Sequence, residues 1–94
     1  ALVRIVHRPM ISGAPQVKAR LTTSAGAWSG PLTAISLRWE RCTRLGKGCT
    51  TVGKGPTYRL KAADRRRGIR AVARATGEDG IAVDAPSRLL LVRG

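Results

Sequence analysis

Phenylalanine is absent from this chain, and only three aromatic residues are present: Trp28, Trp39 and Tyr58. A core must therefore be assembled from Val, Ile, Leu and Ala around a few large anchors. Acids are scarce as well, five against 18 lysines and arginines, for a formal charge of +13 on 94 residues. That self-repulsion works against compaction, keeps the chain soluble and draws it toward polyanions. The single histidine, His7, and the two cysteines fall short of the four ligands that a structural zinc site takes. No apolar run approaches a bilayer span, since the longest, residues 89–92, is strand-sized. P-loop, Rossmann, zinc-protease and nucleophile-elbow motifs are missing, so the reactions they mark have no foothold. No enzyme and no cofactor are expected.

What is present is enough for one domain with one modest core. The chain opens on an alanine with no secretory leader, which is compatible with a processed or excised exported chain. Residues 39–50, WERCTRLGKGCT, hold both cysteines, with six residues and two glycines between them. That spacing is too wide for a C-x-x-C redox pair, and the glycines suit a hairpin. A Cys42–Cys49 disulfide clipping the hairpin is the favoured reading, ahead of two free thiols or a metal pair. A structural disulfide points to an oxidising compartment, extracellular or on the cell surface.

Helix signals are weak, whereas apolar and polar residues alternate over many short stretches. Val17, Ala19 and Leu21 face one way against Lys18, Arg20 and Thr22. Ile35, Leu37 and Trp39 oppose Ser36, Arg38 and Glu40; Tyr58 and Leu60 oppose Arg59 and Lys61. Ile69, Ala71, Ala73 and Ala75 oppose Arg70, Val72 and Arg74, and residues 87–92 are predicted as a last strand. Turn signals separate them at SAGAWSGP, RLGKG, VGKGP, ADRRRG and GEDG. This punctuation predicts an all-β sandwich, with at most one helical turn within LKAADRRRG. Trp39, Tyr58, Leu37 and Ile69 are the expected core anchors, and Trp28 is expected in a turn. Glu78 and Asp79 share a glycine-flanked tip, which lacks the held geometry that acid–base catalysis needs.

One set of residues has a familiar spacing. Pro9, Ile11, Ser12, Gly13, Val17 and Leu21 are followed by GAWSGP at residues 26–31, then Trp39, Arg41, Cys42 and Cys49. Tyr58, Leu60, Ala63, Asp64, Ile69, Arg70, Ala85 and Pro86 complete it. The set resembles the bacterial immunoglobulin-like repeat domains of exported proteins from high-GC Gram-positive (actinobacterial) organisms. The resemblance implies an immunoglobulin-like Greek-key β-sandwich of about seven strands over residues 9–94. It also implies a module that spaces, stiffens or binds and does not catalyse. Such repeats usually carry a glycine shortly after the aspartate, where this chain has Arg66, and another near Lys18. Both departures place a cation where the pattern has no side chain.

Residues 1–8, ALVRIVHR, precede the resemblance as an extra strand-like segment. Leu2 and Val6 face one way, Val3 and Ile5 the other, and such a strand seeks burial on both sides. It is either a linker or first strand packed on its own domain, or it adds to the edge of a neighbouring copy. In the second case Leu2, Val3, Ile5 and Val6 make the contact. Positive charge is expected to wrap both outer faces. Arg65, Arg66, Arg67, Arg70 and Arg74 are the candidates for an anionic partner such as teichoic acid, acidic polysaccharide or extracellular DNA. Without one basic stripe and stacking aromatics, sequence-specific nucleic-acid recognition is not expected. The first expectation is a structural or adhesive module whose partners are other copies or neighbouring domains. A polyanion-binding module and an accessory domain of a larger extracellular enzyme are the alternatives.

Overall fold

A computed structural model describes residues 3–93. Its regular structure is all β apart from one 3₁₀ turn at Ala62–Asp64. The strands are β1 (Arg4–His7), β2 (Ile11–Ser12), β3 (Arg20–Thr23), β4 (Ala27–Ser29) and β5 (Leu32–Cys42). They continue with β6 (Thr50–Lys54), β7 (Thr57–Arg59), β8 (Gly68–Gly77), β9 (Ala82–Pro86) and β10 (Leu90–Leu91). All pairings are antiparallel. β8 pairs with β5 along one side and with β9 and β10 along the other, and β6 joins the far side of β5. Elsewhere β2, β3 and β7 pair in that order, and β1 pairs with β4.

The two smaller ladders are consecutive stretches of one strand pair that bends. Ser24 N–H donates to the Met10 carbonyl at 3.0 Å, and Met10 N–H to Ser24 Oγ at 3.0 Å, between the two ladders. Gly26 takes φ +81° at the bend, where a Cβ would collide with the His7 carbonyl oxygen. The segment at β1 is therefore a strand of its own chain's sheet. Val3 is buried before it, while Ile5 and Val6 are largely exposed. Leu2 lies outside the described residues.

Leu21, Tyr58 and Leu60 from the β3–β7 side meet Trp39, Ile69, Ala71 and Val92 from the β5–β8 side in one core. Trp39 is 0% exposed. Its ring stacks on Tyr58 at 5.7 Å between centroids, and its Nε1–H donates to the Gly55 carbonyl at 2.9 Å. Gly53, opposite Trp39 on β6, leaves room for the Tyr58 ring, to which a Cβ would come within 3.0 Å. The Cys42–Cys49 disulfide clips the end of β5 to the start of β6.

Four expectations change. Leu37 is only half-buried, because β6 reaches no farther along β5 than Arg38 and the flank beyond is open. The strand expected to hold Val17 and Lys18 starts at Arg20, since Lys18 sits at φ 74° in a turn. Trp28 stands in β4, opposite Ile5, and not in a turn. The last strand is two pieces, β9 and β10, and β9 begins five residues earlier than residue 87. Ser87 joins them by exchanging hydrogen bonds with Ala71, Ser87 N–H to the Ala71 carbonyl and Ala71 N–H to Ser87 Oγ.

Candidate functional site

Charge on the outer face of the β9–β8–β5 sheet is largely compensated within that face. Cross-strand register sets Arg70 opposite Glu40, and Arg74 opposite Asp84. Arg70 Nε–H donates to Glu40 Oε1 at 2.7 Å, and Arg38 Nε–H donates to Glu40 Oε2 at 3.2 Å. Arg38 also reaches Asp84 at 3.3 Å, and Arg74 Nε–H donates to the other Asp84 oxygen at 2.7 Å. Three arginines and two carboxylates thus form one chain across three strands. Val72 lies beneath them at 2% exposure, flanked by their aliphatic stems. Burial pushes the Glu40 carboxyl up, but hydrogen bonds from Arg70 and Arg38 outweigh it and hold the group below its usual range. The Arg74 hydrogen bond holds Asp84 low, and the same bond raises Arg74.

A third carboxylate, Asp64, is fully buried at the 3₁₀ turn. It accepts from Tyr58 Oη at 2.7 Å, Arg41 Nε at 2.8 Å and the Lys61 backbone N–H at 2.8 Å. Three donors around one buried anion satisfy it and lock the turn between β7 and β8. Desolvation first, and then the Asp64 hydrogen bond, push the Tyr58 phenol up to about 12.

The remaining cations are distributed very unevenly. Backbone hydrogen bonds stitch several loops together at one end of the molecule. Lys18 N–H donates to the Leu60 carbonyl, Arg66 N–H to Val92, Val92 N–H to Arg67 and Arg93 N–H to Pro15. The disulfide loop joins the same end, because Cys42 pairs with Gly68 at the start of β8. Exposed there are Lys18, Arg20, Arg44, Lys47, Arg59, Lys61, Arg65, Arg66, Arg67 and Arg93. None of these makes an ion pair with a described residue. Arg20 and Arg59 stand directly opposite each other on adjacent strands, an arrangement that destabilises a sheet when nothing neutralises it. Lys18 (φ 74°) and Arg66 (φ 60°) are also the non-glycine residues with left-handed backbone among those described. Each pays a steric cost that a glycine would not. Glu78 and Asp79 occupy the turn at the opposite end, where Glu78 N–H meets the Pro31 carbonyl.

The arginines singled out in the sequence therefore separate. Arg65, Arg66 and Arg67 belong to the basic end, whereas Arg70 and Arg74 are held by carboxylates on the sheet face. Alternation puts Lys18, Arg20, Arg59 and Lys61 on an outer face, but only tertiary contacts bring them and Arg93 to the same end as the triplet. A carboxylate of Glu40 lies within 4.8 Å of both disulfide sulfurs. That trio is not a metal set, since the sulfurs are bonded to each other and two arginines claim the carboxylate. An open apolar cleft of about 390 Å³, lined by Pro9, Met10, Ile11, Leu89, Leu90 and Arg88, contains no acid–base pair. His7 is exposed on β1. No described helix is long and apolar enough to cross a membrane. Comparison with protein-family models, curated proteins and solved structures finds no match to this chain.

Proposed function

We propose that the protein is a non-enzymatic, immunoglobulin-like Greek-key module of an exported protein, and that its basic end binds an anionic polymer. The gathering at one end of ten cations with no ion pair among the described residues, while the three arginines on the sheet face share two carboxylates, carries this reading. The order of strands in the ladders and the stacked Trp39–Tyr58 pair between them support the immunoglobulin-like architecture. The disulfide supports an extracellular setting. Six of the basic end's cations on the β3, β7, 3₁₀-turn and C-terminal segments are arginines, whose forked donors match phosphate or sulfate oxygens two at a time. The absence of convergent aromatic faces there favours backbone charge over bases as the ligand.

Binding of a linear polyphosphate, followed by calorimetry at several salt concentrations, tests the reading. With about five phosphate contacts and the charge density of B-DNA, affinity falls about 500-fold between roughly 50 and 200 mM salt. Replacing Arg65, Arg66 and Arg67 by alanine should flatten that salt dependence. Arg74→Ala should leave it nearly intact, because Asp84 already compensates that charge locally. Equal losses in both variants would show that overall charge, and not the basic end, attracts the polymer.

A further inference from the structure

β5 is longer than the strand that covers its outer side. β8 pairs with it from Leu32 to Cys42, but β6 pairs only with Arg38, Trp39, Glu40 and Arg41. β6 then passes to β7 through Gly55 and Pro56, with Gly55 N–H bonded to the Leu37 carbonyl. On the other ladder β7 likewise stops opposite Thr22, so β4 also runs past it. Among the described residues no strand covers the outer edge of residues 32–36, and all five are exposed. Ile35 is 40% exposed although it lies on the same face as Trp39.

Natural sheets guard such edges with charge, proline, glycine or shortness. Most other edges here are guarded: Arg4 opens β1 and Arg8 follows it, Lys54 ends β6, Asp84 and Pro86 lie in β9, and β2, β4 and β10 are two or three residues each. Residues 32–36, LTAIS, carry no charge, proline or glycine, and their one irregularity is a bulge against β8 between Leu32 and Ala34. They close a stretch, residues 21–37, with no charged residue at all. On a molecule of formal charge +13, this flank is where a second identical molecule can approach without bringing unpaired cations together. An antiparallel strand pair is also self-complementary, since one segment can serve both partners about a two-fold axis.

We propose that residues 32–36 of β5 pair with the same residues of a second copy. The two β9–β8–β5 sheets become continuous across the dimer, and Ile35 flanks the seam. This surface is separate from the basic end, and its salt dependence has the opposite sign. Added salt screens the mutual repulsion of two cationic chains, so self-association tightens while polymer binding weakens.

Sedimentation equilibrium of the full chain, over a range of concentrations at low and moderate salt, tests the proposal. The expected result is a monomer–dimer equilibrium whose dissociation constant falls at least about threefold on going from 20 to 300 mM salt. Ile35→Lys and, separately, Thr33→Lys should abolish it while the circular dichroism spectrum and the melting temperature stay close to native. Amide exchange within residues 32–36 should slow as concentration rises, with that of β6 unchanged. A monomer at every concentration and salt overturns the proposal. So does an association that both lysine variants retain, or a mass that grows past two copies, since a two-fold seam closes at the dimer.

Discussion

Replacing Lys18 and Arg66 by glycine should make the protein more stable and a weaker ligand for anionic polymers. Both residues hold left-handed backbone, at φ 74° and 60°, which costs an L-residue with a Cβ about 1–2 kcal/mol. Glycine removes that cost but adds about 0.5–1 kcal/mol of lost unfolded-state freedom. The net gain is about 0–1.5 kcal/mol per site, with a midpoint of about 0.75. The sites lie in different turns, so the double variant should gain about 1.5 kcal/mol at the midpoint. Unfolding entropy of about 2.1 cal/mol/K per residue gives roughly 200 cal/mol/K for the chain, or about 5 °C per kcal/mol. The double variant should therefore melt about 7–8 °C higher by calorimetry or tryptophan fluorescence. Losing two cations should also lower the log–log salt slope of polymer binding by about 1.8. Arg65→Ala is the control, because it removes a neighbouring charge at φ −57°. If that variant gains as much, relief of repulsion and not of backbone strain is responsible. If the glycine variants melt lower, the reasoning fails.

Three other outcomes are expected. Converting Cys42 and Cys49 to alanine frees a short loop and should cost about 2–3 kcal/mol, seen as a drop of about 10–15 °C in the melting temperature. The raised phenol of Tyr58, about 12 in the folded state, contributes stability that is complete below about pH 10 and is lost as pH rises through 12. Tyr58→Phe should be less stable at neutral pH yet lose less between those values, as denaturant titrations at fixed pH would reveal. Glu40 and Asp84 are depressed, so their contribution is present above about pH 4.5 and fades as pH falls through their folded values. Asp84→Asn should remove part of that acid loss at little cost at pH 7, because the pair is largely in solvent.

Much of the core was readable because it depends on nearest neighbours. Alternation with period two marked Trp39, Tyr58, Ile69, Ala71 and Ala73 as one side of their strands, and all are buried. The hairpin disulfide was readable for the same reason, with two glycines supplying the reversal between its cysteines. Leu37 had the same local pattern and is half-exposed. Its burial depends on how far β6 and β7 extend along the flank, which the alternation within β5 does not encode. Lys18 and Arg66 stood out as cations where the repeats that the sequence resembles carry glycine, but their left-handed backbone became visible only in the folded turns.

The arginines divide most clearly. Arg65 to Arg67 and Arg70 to Arg74 look alike in the sequence, a dense basic run in which charge alone distinguishes nothing. Register decides their fate: across β8 and β9 Arg74 meets Asp84, and across β5 and β8 Arg70 meets Glu40. The chain alone determined an alternating, disulfide-clipped β protein with a large positive charge, because those properties are composition and short-range order. Which cations were cancelled, which were gathered at one end and which edge was left bare came only with the tertiary structure, because charge pairing and strand overhang are fixed by residues distant in sequence.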